Sequence, residues 1–191
     1  MIFHAFLTDV NESNAYVVGC ADTGRALLID AGGFDAQILE FLAEKRLQLD
    51  AVFITHDHYD HVGGLEELTE RANPDATVYS GRGKAGGRHA CRVVHGDKIA
   101  VGHLTGTTLS TPGHTQDSVS LVFPGVVFTG DALFSGSVGG TTSPETARQQ
   151  IECLSDHVLT LPDDWEVYPG HGPASVVWVE RQYNPFLTRP Q

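Results

Sequence analysis

The chain has 191 residues, 41% of them hydrophobic, which suffices for one domain with a sizeable core. Its formal net charge of −12 argues against nucleic acid or an anionic membrane as the main partner, because both need a basic footprint. A small anionic substrate stays open, since bound cations would reverse the local field.

The first residues, Met1-Ile2-Phe3-His4-Ala5-Phe6-Leu7, carry no basic leader and read as a first strand. No stretch approaches the roughly 20 apolar residues of a membrane span, and the cysteine usage fits a reducing cytosol, so a cytoplasmic protein is expected. Three cysteines, Cys20, Cys91 and Cys153, show no ligand or redox spacing and are expected to be free thiols. Residues 15–19 and 26–30 flank a polar turn at Asp22-Thr23-Gly24 and predict two antiparallel strands. Apolar residues at Ile38, Phe41, Leu42 and Ala43 predict a helix over 34–47. The β-branched run Ala51-Val52-Phe53-Ile54 then predicts a buried strand.

That strand ends in Thr55-His56-Asp57-His58-Tyr59-Asp60-His61. Three imidazoles and two carboxylates in six consecutive residues cannot be buried unpaired, and they suit borderline divalent cations. Gly63-Gly64 opens a further helix that should stop before Asn73-Pro74. A short strand at 77–79 follows, then Gly81 to Arg88, a basic, glycine-rich stretch without phosphate-loop spacing. It reads as a mobile surface loop; the functional alternative is a rim that attracts an anionic substrate tail. Strands are expected at 92–101, 104–110, 119–123 and 126–129. Ser143-Pro144 marks a helix start, and Ile151, Leu154, Val158 and Leu161 give it an apolar stripe until Pro162. A last strand at 165–168, a short helix near 175–181 and an irregular tail finish the chain.

A strand pair ending in Asp occurs twice, at 15–30 and 118–131, and in each half a later strand presents histidine. This reads as a weak internal duplication: two sheets face to face, helices outside, a metal site at one shared edge. Strand ends would deliver His56, His58, Asp60, His61, His114, Asp131 and His171. Five His and two Asp are too many for one tetrahedral zinc and suit two cations sharing a carboxylate. His4, His89, His95, His103 and His157 are expected to have no part in it.

The motifs Thr55 to Gly64, Thr111-Pro112-Gly113-His114-Thr115, Phe128 to Phe134 and Tyr168-Pro169-Gly170-His171-Gly172 resemble those of metallo-β-lactamase-fold proteins, and within them the glyoxalase II (hydroxyacylglutathione hydrolase) type. The resemblance covers nearly the whole chain. It implies a single α/β domain over 1–191, a four-layer αβ/βα sandwich of two mixed sheets. It implies one metal on His56, His58 and His114, a second on Asp60, His61 and His171, and Asp131 bridging them. Zinc is expected first, with iron or manganese accepted by the same donors. The implied activity is hydrolysis of a thioester or similar activated acyl compound by metal-activated water, with Asp60 orienting it. Thr55 and Thr115 are expected to hydrogen-bond the ligands. Asp30 and Asp57 could do the same or serve as solvated turn residues, and Tyr59 and Phe134 would line the cleft. The C-terminal helical domain that holds glutathione in full-length glyoxalase II proteins has no counterpart in the 20 residues after His171. The Arg that many relatives carry after a Gly-x-x-Gly segment is replaced by Gly140. A mononuclear-iron persulfide dioxygenase on His56, His114 and Asp131, or a lactonase on the same scaffold, are the alternatives.

Overall fold

The computed structural model describes residues 1–188; the last three residues of the expected tail lie outside the described residues. The first sheet has the order β1-β2-β3-β4-β5-β8. It joins β1 (Ile2–Leu7), β2 (Asn14–Cys20), β3 (Arg25–Ile29), β4 (Gln48–Ile54), β5 (Thr77–Ser80) and β8 (Cys91–Arg92). β6 (Lys84–Ala85) and β7 (Arg88–His89) form a small ladder before β8. The second sheet has the order β16-β15-β12-β11-β10-β9. Its strands are β9 (Lys98–Val101), β10 (Leu104–Ser110), β11 (Val119–Phe123), β12 (Val126–Gly130), β15 (Glu166–Pro169) and β16 (Ser175–Val176). A second small hairpin, β13 (Leu133–Phe134) with β14 (Ser137–Val138), follows β12.

Strand alternation builds the layers. Val18, Leu27, Ile29, Ala51 and Phe53 meet Leu121, Phe123, Val126 and Phe128 between the sheets. The intervening Val17, Leu28, Val52 and Ile54 face outward onto Ile38, Leu42, Leu65 and Leu68 of helices α1 (Ala36–Glu44) and α3 (Leu65–Ala72). On the opposite face Val122, Val127 and Val167 pack against Leu154, Val158 and Val177. Those come from the π-turn Leu154–Val158 that continues α4 (Pro144–Cys153), and from α5 (Val177–Tyr183). Strands buried on both faces read as continuous apolar runs, and each fully buried Phe or Leu stabilises the fold by about 1.5–3 kcal/mol. The four-layer mixed-sheet sandwich is the architecture expected from the sequence.

The two halves repeat one topology. β2 and β3 are antiparallel and β3 is followed laterally by a parallel β4; β11, β12 and β15 do the same. Both parallel strands end at histidine-bearing loops.

Three local expectations need correction. The helix expected over 34–47 is shorter, because the Asp35 side chain caps it by accepting from Gln37 N–H at 2.8 Å. The single strand expected at 92–101 is two strands in different sheets. Asp97 accepts from Val94 N–H at 2.8 Å and turns the chain across the sandwich. The glycine-rich stretch is tethered: Gly86 N–H donates to Asp57 at 2.7 Å, Arg88 donates to Thr69 Oγ1 at 2.9 Å, and Ala85 is fully buried.

Candidate metal centre

β4 is apolar on both faces, so its polar continuation must leave the sandwich at the strand's C-terminal end, where α/β folds place ligand sites. His58 then takes the N-cap position of the one-turn helix α2 (Tyr59–Val62), its carbonyl accepting from His61 N–H at 2.9 Å, and the turn sets Asp60 and His61 side by side. α2 is clamped by the loop after β3: Ala31 N–H donates to His61 O and Gly64 N–H to Ala31 O, both at 2.8 Å. Gly32 makes this possible, since a Cβ there would stand 1.9 Å from Asp60 O. From the second sheet, β10 leads to His114 and β15 to His171. A register shift between β12 and β15 at Phe128/Gly130 re-aims the chain just before Asp131.

All seven expected residues converge. His58 Nδ1 lies 3.0 Å from His56 Nε2 and 3.1 Å from His114 Nε2. Asp60, His61 and His171 form a second set of three donors, with His171 Nε2 3.4 Å from Asp60 Oδ2. Asp131 stands between the sets. Its Oδ1 is 3.3 Å from His61 Nε2, and its Oδ2 is 3.6, 3.7 and 4.0 Å from Nε2 of His171, His114 and His56. Gly170 leaves room for this, since a Cβ there would lie 2.1 Å from Asp131 Oδ1.

These donors suit cations. Bonds of about 2.0–2.1 Å put tetrahedral nitrogens about 3.3–3.4 Å apart, close to the imidazole spacing of the first set. His61 Nε2 and Asp131 Oδ1 are buried and lack a well-aligned hydrogen-bond partner among the described residues. Leaving such groups unsatisfied costs about 1–3 kcal/mol each, which a cation between them removes.

The second ring nitrogens are held by neighbours. His114 Nδ1 donates to Gly140 O at 2.7 Å, His61 Nδ1 to Asp30 Oδ2 at 2.9 Å, and His56 Nδ1 lies 3.1 Å from Thr55 Oγ1. Each leaves Nε2 facing the cluster, whereas His58 presents Nδ1. Asp30 also accepts from Thr55 N–H and Thr55 Oγ1–H, both at 2.8 Å. It is 2% exposed with φ +57°, so it is no solvated turn residue. The Thr115 hydroxyl does not hydrogen-bond a ligand; it pairs with Ser118 Oγ at 2.7 Å and shapes the turn.

The metal-free site is electrostatically uneven. Burial pushes His56 down to about 2, helped by the neighbouring imidazoles, so it stays neutral. Burial alone would also lower His61, but the carboxylates of Asp30 and Asp131 raise it to about 10. Asp131 and Asp60 both sit below the usual carboxylate range despite burial: His61 draws Asp131 down, and Asn11 with His61 draws Asp60 down.

Tyr59 is 73% exposed at the rim, and the Phe134 ring lies 6.2 Å from that of His171. A cavity of about 340 Å³ opens beside His58 and His114, bounded by Asp57, Arg82, Gln116 and Thr142. Arg82 stands 3.7 Å from Asp57, so the glycine-rich stretch does form a rim of the site.

Several supporting residues escape sequence reasoning. Asn11 donates to Asp60 Oδ2 at 3.1 Å, while Asn14 and Tyr16 donate to Pro169 O at 3.0 and 2.6 Å and brace the His171 loop. Glu180, fully buried on α5, accepts from Gly136 N–H at 3.0 Å and Asn184 Nδ2 at 2.7 Å, holding the hairpin that carries Phe134. Their only sequence signal is polarity in a turn or on a helix.

Residues 8–171 match the family model described as the metallo-beta-lactamase superfamily. The chain belongs to that superfamily. It is an enzyme of this metallo-hydrolase superfamily, whose members bind divalent metals such as zinc or iron. A hydroxyacylglutathione hydrolase from Bradyrhizobium sp. (strain ORS 278) is 36% identical over 166 residues, covering 86% of this chain. The chain spans 64% of that relative's own length. Among solved structures, ETHE1 from Myxococcus xanthus superposes with TM-score 0.85 at 36% identity, covering 97% of this chain and 84% of the other. TTHA1623, crystallised in a di-iron-bound form, superposes with TM-score 0.77 at 28% identity, covering 96% of this chain and all of the other. No described helix is long and apolar enough to cross a membrane.

Proposed function

We propose that the chain is a dinuclear metallo-hydrolase that cleaves a thioester or similarly activated acyl compound. The observation that carries this reading is Asp131, one carboxylate within 4.0 Å of four imidazoles drawn from two complete three-donor sets. His56, His58 and His114 would hold one cation and Asp60, His61 and His171 the other, with Asp131 shared. Two cations there would supply Lewis acidity, lowering the pKa of a bound water toward 7 and polarising the acyl carbonyl. Asp60, held by Asn11 and 3.4 Å from His171, is the carboxylate that would orient such a water and take up its proton. Asp30 holds the Nδ1–H of His61, so Nε2 is the nitrogen that would face a cation once its own proton is lost. Phe134, beside His171, and the exposed Tyr59 would offer apolar surface to the acyl group, and Arg82, which lines the cavity beside His58 and His114, is the cation of the rim. The di-iron form of TTHA1623 and the likeness to a hydroxyacylglutathione hydrolase support a dinuclear site and a thioester substrate.

A single-iron oxygenase would need only His56, His114 and Asp131, and the test removes what only the hydrolase needs. His171→Ala should lose the second metal and lower thioester cleavage by about 10²-fold or more, because water activation and carbonyl polarisation are then no longer divided between two cations. The parent protein should consume no oxygen with glutathione persulfide. Oxygen uptake that tracked one iron per chain and survived His171→Ala would move the assignment to the oxygenase.

A further inference from the structure

β2 runs away from the His171 loop and ends at Cys20, about 20 Å from Asn14 at the rise of a strand. There the turn joining β2 to β3 meets the turn joining β9 to β10, one from each sheet. Cys20 Sγ, an Asp22 carboxylate oxygen and a His103 ring nitrogen all lie within 4.8 Å of one another. The turns interlock: Gly102 has φ +59°, and a Cβ there would stand 2.0 Å from Thr23 Oγ1 and 3.0 Å from Cys20 Sγ. Only glycine allows this approach.

The sulfur is prepared for a cation. Cys20 is 2% exposed, covered by its own neighbours at the periphery of the molecule. Its Sγ accepts from His103 N–H at 3.4 Å. The Thr23 hydroxyl and the His103 N–H both favour the anionic form of the sulfur. His103 Nδ1 and Asp22 Oδ2 stand 3.8 Å apart on side chains that are 73% and 79% exposed, free to close onto an ion. Metal bonds of about 2.0–2.3 Å need donors roughly 3.3–3.8 Å apart, so a shift of about 1 Å suffices.

We propose that Cys20, Asp22 and His103 form a metal site distinct from the catalytic centre, taking a borderline, thiophilic divalent cation such as zinc and tying the two sheets together. Thiolate, imidazole and carboxylate are a zinc donor set, with a fourth position open to water. An ion bound only by the native turns stabilises the sandwich at the end remote from the catalytic loops.

The centre on His56 to His171 offers nitrogen and oxygen donors alone, so a sulfur-to-metal charge-transfer band reports on a thiolate site and nothing else. The full chain, kept reduced, is titrated with cobalt(II). A near-ultraviolet sulfur-to-cobalt band is expected in the parent and in His171→Ala, absent in Cys20→Ser with one cobalt fewer per chain, and weakened in affinity by about tenfold or more in His103→Ala. No band at saturating cobalt overturns the proposal. So does a band that survives Cys20→Ser, which would belong to Cys91 or Cys153. Should the buried Cys20→Ser fail to fold, His103→Ala changes only an exposed side chain, and unchanged cobalt affinity there overturns the proposal equally.

Discussion

Asp30→Asn is the sharpest perturbation of the centre, because it keeps shape and backbone while replacing one carboxylate oxygen, and the charge, by an NH2 group. Asn tolerates the φ of +57° at this position. The carboxylate accepts three bonds: Thr55 N–H and Thr55 Oγ1–H at 2.8 Å, and His61 Nδ1–H at 2.9 Å. An amide has one acceptor oxygen and one donor nitrogen. If its nitrogen faces His61, the Thr55 hydroxyl can rotate to accept, but His61 Nδ1 must also become an acceptor. The ring proton then moves to Nε2 and removes the lone pair aimed at the metal. If the nitrogen faces Thr55 N–H instead, two donors oppose each other in a buried site, which costs about 1–3 kcal/mol of folding stability. The first route should weaken metal binding by about 10–100-fold at the His61 set. The second should lower the melting midpoint of the metal-free protein by about 2–4 °C per kcal/mol. Chelator competition for each metal, beside thermal melts of the metal-free chain, reads both routes. Metal affinities within twofold of the parent together with an unchanged midpoint would refute the reasoning.

Asp131→Ala should release both metals and lower the melting midpoint of the holoprotein more than any single His substitution, since it touches both sets; if His61→Ala emptied both sites and Asp131→Ala neither, Asp131 would not be the bridge. Metal uptake should depend on pH in a definite direction. His61 is raised above 6.5 to about 10, so its contribution to the metal-free fold is fully present below 6.5 and is lost as pH rises through about 10. Binding a cation at Nε2 must expel that proton, so affinity at this set should climb by about tenfold per pH unit from neutrality toward 10 and fall away in acid. Calorimetry in buffers of different ionisation enthalpy should count about one proton released per second metal bound; a count of zero, or full metal occupancy after dialysis at pH 4.5, speaks against the site.

Strand alternation, the turn glycines and the metal-philic residue types are local properties, so the layers and the seven convergent side chains were legible in the chain itself. The four-residue apolar run Ala51 to Ile54 marks a strand buried on both sides, and the histidines placed directly after it have nowhere to go but the sheet edge. What the tertiary structure decided are relations between residues far apart in sequence. Asp30 could equally have been a turn residue until folding set it 2.9 Å from His61, thirty-one positions on. Thr115 adjoins His114 in the chain but turns to Ser118, while the carbonyl of Gly140 takes the place expected for a side chain. The run from Arg92 to Val101 looks continuous because each half has strand composition, and only the crossing between sheets divides it. Hydrogen bonds between segments depend on which loops the packed sheets bring together, and no local pattern encodes that; the meeting of Cys20 with His103, one turn from each sheet, has the same origin.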